Sequence, residues 1–125
     1  MNFSKILLPL SILLIILVGC KNDYISSPTS NPTPKEYLKY DNADIFLLDG
    51  YVFSNAQDVE WVTKLEYELG KQVSEITKQA EKASKFENGT ANRLPVGTKI
   101  FETDTPAYIA IVDGEEIPYL KMVEG

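Results

Sequence analysis

Carboxylates are the only side chains present in number that could carry acid–base chemistry in this sequence. Asp and Glu total 18 against 12 Lys and Arg, and there is no histidine. The missing imidazole removes the commonest general base, the commonest metal ligand and any Ser-His-Asp arrangement. Four acidic pairs lie close in sequence: Asp41/Asp44, Asp58/Glu60, Glu66/Glu68 and Glu115/Glu116. Hydrolytic pairs need carboxyl groups roughly 5–9 Å apart and one raised pKa, which proximity along the chain does not establish. Solvated acidic surface is the plainer reading. Ser54, Ser74 and Ser84 have no Gly-x-Ser-x-Gly context. Asp41-Asn42-Ala43-Asp44 opens like a calcium loop, but Phe46 and Val52 stand where such a loop needs glycine and glutamate. Gly89, Gly97 and Gly114 form no phosphate-binding pattern. No cofactor or metal is therefore expected. Aromatic residues are plentiful, and most are expected in the core, with an exposed tyrosine stripe able to stack on sugars or grip a protein edge. The one remaining reactive group is the thiol of Cys20, the sole cysteine, which excludes an intrachain disulfide.

Cys20 ends a distinctive stretch. Lys5 supplies a basic start, and residues 6–18 form an aliphatic run interrupted only by Pro9 and Ser11. Thirteen such residues suit the apolar core of a signal peptide and fall short of the roughly 20 that span a bilayer. Leu17-Val18-Gly19-Cys20 resembles the lipobox that closes a bacterial lipoprotein signal. The resemblance implies a diacylglycerol thioether on Cys20 and cleavage by signal peptidase II between Gly19 and Cys20. Cys20 would then be the first mature residue; whether its amine is also acylated stays open. One acyl chain holds a protein marginally and two hold it stably. The expectation is a protein anchored to the outer face of the cell membrane through acyl chains.

Loss of residues 1–19 would remove one base, Lys5, and no acid, leaving 11 basic against 18 acidic residues, a net charge of −7. That balance argues against nucleic acid and against electrostatic adhesion to anionic lipid. Residues 20–34, with Pro28, Pro32 and Pro34 among Ser, Thr and Asn, read as a tether. Its fourteen residues beyond the cysteine would reach roughly 40 Å at about 3.1 Å each. Residues 35–125 are expected to form one small α+β domain, mostly antiparallel β-sheet with one short helix.

Within the domain, Asp44-Ile45-Phe46-Leu47-Leu48 and Tyr51-Val52-Phe53 are strand-like around Asp49-Gly50. That dipeptide marks a hairpin turn or a bulge in one long strand, and the shortness of the flanks favours the bulge. Ser54 or Asn55 would cap a helix containing Asp58, Glu60 and Trp61 and ending near residues 64–68. A strand follows near residues 72–78; a single helix through Ala83 stays the alternative, because Val62, Leu65, Leu69, Val73, Ile76, Ala80 and Ala83 keep helical spacing. Glu87-Asn88-Gly89-Thr90 is a turn. Residues 98–102, 107–112 and 116–121 read as strands, the last two joined by a hairpin at Asp113-Gly114. Both faces of residues 107–112 should be covered.

Leu69-Gly70-Lys71-Gln72-Val73-Ser74-Glu75-Ile76 and the stretch Asn88-Gly89-Thr90-Ala91-Asn92-Arg93 through Phe101 are similar to a domain of small uncharacterised secreted and lipid-anchored proteins of Bacillus-like Gram-positive bacteria. The likeness covers residues 44–125, is most specific over residues 94–101, and implies a strand at each segment but no activity. The functional expectation is a non-enzymatic binding module whose partner is an envelope protein or glycan. A carboxylate-dependent envelope hydrolase and a small-ligand-binding lipoprotein are the alternatives.

Overall fold

The computed structural model describes residues 31–123. The chain orders as α1 (Pro34–Leu38), β1 (Ile45–Leu48), β2 (Tyr51–Asn55), α2 (Glu60–Thr63), β3 (Leu69–Glu75), β4 (Lys78–Gln79), a 3-10 turn (Ala83–Lys85), β5 (Thr90–Ala91), β6 (Lys99–Thr103), β7 (Ala107–Val112) and β8 (Glu115–Lys121). The expected α+β class holds, with two one-turn α-helices among the described residues where one was expected. Every ladder is antiparallel except β4–β5.

The eight strands run in the order β3-β6-β7-β8-β2-β1-β5-β4. Its two ends are β3 and β4, which only Ile76 and Thr77 separate in the chain. Ile76 still bonds on the β6 side, donating to the Thr98 carbonyl and accepting from Gly97; Thr77 already donates to the Gly89 carbonyl on the β5 side. The sheet thus curls until one continuous run of chain serves both of its edges, as in a small barrel, which limits exposed strand edge. This handover explains why a helix through Ala83 does not form. Val73, Ile76 and Thr77 are β-branched and suit a pleated strand, and the Gly70 backbone lies so near Glu102 that a Cβ there would meet its Cγ at 3.0 Å.

Nearly every strand sends a side chain inward. Phe46 of β1, Phe53 of β2, Ala91 of β5, Ile100 of β6, Ala110 of β7 and Tyr119 of β8 form one buried cluster with Ile76 and Leu94. The Phe46 and Phe53 rings stack at 4.8 Å and 6°. Tyr119 tilts against Phe46 at 5.0 Å, and Tyr108 meets Phe53 edge-on at 4.9 Å. Such pairs contribute about 0.5–1.5 kcal/mol each beyond area burial. Ile109 and Ala110 point to opposite faces of β7 and both are fully buried, as a strand covered on both sides requires.

Asp49-Gly50 makes a hairpin turn, not a bulge. Both residues have positive φ (53° and 82°), as do Asp113 and Gly114 in the second hairpin (52° and 80°). Two consecutive left-handed residues match the twist of the flanking strands, and Asp and Gly tolerate that conformation. The short flanks are no obstacle, because β1 also pairs with β5 and β2 with β8. α1 begins at Pro34, the last residue of the expected tether. Pro34 already occupies the first turn of α1, where its missing N–H costs nothing, and the Thr33 N–H donates to the Glu36 carboxylate at 3.3 Å.

Candidate functional site

Leu17, Val18, Gly19 and Cys20, the expected lipidation and cleavage residues, lie outside the described residues. Among the described residues no helix is long and apolar enough to cross a membrane, and no group of three or more Asp and Glu converges as a metal site would require.

The acidic pairs named from sequence do not come together as pairs. Glu66 and Glu68 sit exposed in the irregular segment before β3. Glu116 accepts a 2.6 Å hydrogen bond from the Tyr67 hydroxyl, beside an exposed Glu115. Burial, and then the bond to Glu116, push the Tyr67 pKa up to about 12. Glu60 pairs with Lys64 at 3.4 Å on the surface of α2. Asp41 and Asp44 take separate jobs, and it is Asp44 and Asp58, from two different pairs, that line one cleft.

That cleft encloses about 470 Å³. One wall is aromatic, from Tyr37 of α1 and Tyr40 just beyond it. The other is polar, from Asn42 and Asp44 before β1, Ser54 and Asn55 at the end of β2, and Gln57 and Asp58 leading into α2. Arg93 closes one side, and shares with Tyr40 an adjoining hollow of about 250 Å³.

The polar wall is hydrogen-bonded in advance. The Tyr119 hydroxyl rises from the core and donates to Asp44 Oδ1 at 2.7 Å. Asn55 Nδ2 donates to Asp44 Oδ2 at 2.9 Å and to Gln57 Oε1 at 3.0 Å. Asn55 Oδ1 in turn accepts from the Gln57 N–H at 2.7 Å. Ser54 or Asn55 was expected to cap the helix; instead Asn55 makes this tight Asx turn, and α2 starts later, at Glu60, with Val59 in the cap position. The turn carries Gln57 and Asp58 to the cleft. Burial first, then the Asp44 charge and hydrogen bond, drive the Tyr119 pKa far above its ordinary 10.0, so the phenol stays a donor at physiological pH.

The loop after β5 fixes the segment before β1. Asn92 bridges it, accepting from the Ile45 N–H at 2.8 Å and donating to the Ala43 carbonyl at 2.9 Å. Arg93 Nη2 donates to the Asp41 carbonyl at 2.7 Å. The Asn92 and Arg93 contacts span about 50 residues of sequence, so the one clue to Arg93 is that it is the only arginine in the chain; Gln57 bonds Asn55 two residues away, and the Asx-turn chemistry of Asn55 is the local signal that could have marked it. Comparison of the chain with protein-family models, curated proteins and solved structures returned no match.

Proposed function

We propose that this protein is a lipid-anchored, non-enzymatic binding module of the cell envelope. Acyl chains on Cys20 hold it to the outer face of the membrane, and the cleft between α1 and the β2–α2 turn engages an envelope component. The anchor rests on Leu17-Val18-Gly19-Cys20 following a short apolar run. The observation that carries the binding half is the Tyr119–Asp44–Asn55–Gln57 chain, which orients one wall of a 470 Å³ cleft before any ligand arrives. A carboxylate-dependent hydrolase is the second reading, favoured by Asp44 and Asp58 lining one cleft. It ranks behind because both Asp44 oxygens already accept hydrogen bonds from the protein.

Two experiments test the reading. Cys20→Ser is expected to release the protein from the membrane or to leave the precursor uncleaved, followed by cell fractionation and intact mass; retention as a mature-sized membrane species would refute the anchor. A photo-crosslinking residue at exposed Lys39, beside Tyr40, is expected to capture an envelope component in intact cells, while the same residue at exposed Lys99 on β6 does not. Equal capture from both positions, or none, would refute the cleft as the binding site.

A further inference from the structure

The unpartnered groups of the cleft narrow the chemistry of its ligand, given the binding-module reading on which this step rests. Among the described residues, the Asp58 carboxylate, the Gln57 side-chain N–H groups and the hydroxyls of Tyr37 and Tyr40 have no hydrogen-bond partner. Arg93 makes a single hydrogen bond, to the Asp41 carbonyl, and no ion pair. The cleft therefore offers an acceptor-only carboxylate, a donor-only guanidinium and donor-only amide hydrogens. A ligand bearing net negative charge faces Asp44 and Asp58; one bearing net positive charge faces Arg93. A hydroxyl group, which both donates and accepts, satisfies either kind of partner without a charge penalty.

The second wall points the same way. Tyr40 is 59% exposed at the rim, and Tyr37 is half-buried beside it. Aromatic rings and polar groups lining one cleft suit a molecule with apolar C–H faces and a hydroxylated edge. A peptide adding as a β-strand would need a free strand edge, and β1 and β2, which flank the cleft, are each paired on both sides. The volume, about 470 Å³, falls within the roughly 300–1,000 Å³ of small-ligand sites.

We infer that the cleft binds a neutral saccharide, with Asp58 and Gln57 on its hydroxylated edge, Arg93 donating to a hydroxyl or ring oxygen, and Tyr40 against a C–H face. The Tyr119–Asp44–Asn55 chain positions this wall from beneath.

The test uses the full chain in phosphatidylcholine nanodiscs and saturation-transfer NMR. The probes are neutral tetrasaccharides of glucose, galactose, mannose and N-acetylglucosamine, with tetragalacturonate as the anionic counterpart. At least one neutral probe is expected to receive magnetisation at its ring protons. Asp58→Ala should weaken that binding about tenfold or more and Tyr40→Ala about three- to tenfold. Trp61→Ala, exposed on α2 and outside the cleft, should leave it unchanged. Thermal unfolding of each variant separates lost binding from lost fold. No transfer to any neutral probe, tighter binding of tetragalacturonate, or indifference to both cleft substitutions in folded protein overturns the saccharide. Capture from Lys39 alongside such a failure leaves the binding module standing with a different ligand; loss of that capture as well removes both.

Discussion

Replacing Tyr119 by Phe deletes one oxygen and tests the link between the core and the cleft. The ring is fully buried and packs on Phe46, and Phe keeps that contact. What disappears is the 2.7 Å hydrogen bond to the Asp44 carboxylate. Hydrogen bonds to charged groups contribute about 1.5–3 kcal/mol. Asp44 is half-exposed on the cleft, so water can replace part of what it loses, which places the cost at about 1.5–2 kcal/mol. For a domain of this size each kcal/mol lowers the melting temperature by about 4–8 °C, so a fall of about 10 °C is expected. The pH dependence adds an independent check. Because the folded pKa of Tyr119 is raised above its ordinary 10.0, its stabilising contribution is complete below pH 10. It is lost as the phenol ionises only in the unfolded chain. The gap between wild type and Tyr119→Phe should therefore narrow by about 1.4 kcal/mol per pH unit above 10. Urea unfolding at pH 7, 9, 10.5 and 11, followed by far-UV circular dichroism, reads both effects. A double-mutant cycle with Asp44→Ala should show coupling well beyond the roughly 0.3–0.5 kcal/mol of independent sites. Additive effects, or a gap unchanged between pH 9 and 11, would refute the assignment of this bond as the support of the cleft wall.

Two further substitutions probe the frame. Gly89 and Gly114 both have positive φ, but a Cβ at Gly89 would lie 2.8 Å from Thr77 Oγ1 whereas Gly114 faces open space. Gly114→Ala should cost about 1–2 kcal/mol from backbone strain alone and Gly89→Ala measurably more in urea titrations; equal costs would mean that the closure at Thr77 is not tightly packed. Tyr67→Phe should flatten the loss of stability between pH 10 and about 12, since the Tyr67 pKa is pushed up to about 12 beside Glu116. Identical alkaline slopes for variant and wild type would show that this phenol titrates alike in both states.

Local chemistry was legible along the chain. The β7–β8 hairpin follows from Asp113-Gly114 between two apolar runs, and β7 spans Ala107–Val112 as its residues suggest. The short helix around Glu60 and Trp61 follows from composition as well, while the strand expected near residues 72–78 lies earlier, at Leu69–Glu75, and gives way at Ile76 and Thr77 to a separate β4. The Asp49-Gly50 turn was misjudged because its flanks are too short to pair alone, and the partners that stabilise them, β5 and β8, lie about 40 and 65 residues further along. Asn55 likewise showed its capping chemistry in sequence but spends it on a turn.

The sequence by itself determined the apolar N-terminal run ending in a single thiol, the acidic balance, the absence of histidine and the alternation that makes a sheet, since each depends only on residue types and short spacings. Only the tertiary structure decided that residues 69–79 serve both edges of that sheet, that Asp44 rests on a phenol 75 residues away, and that Asp58 and Arg93 face one cleft. Those outcomes rest on pairings between distant segments, whose free energy comes from burying the shared core and is not encoded in any local window.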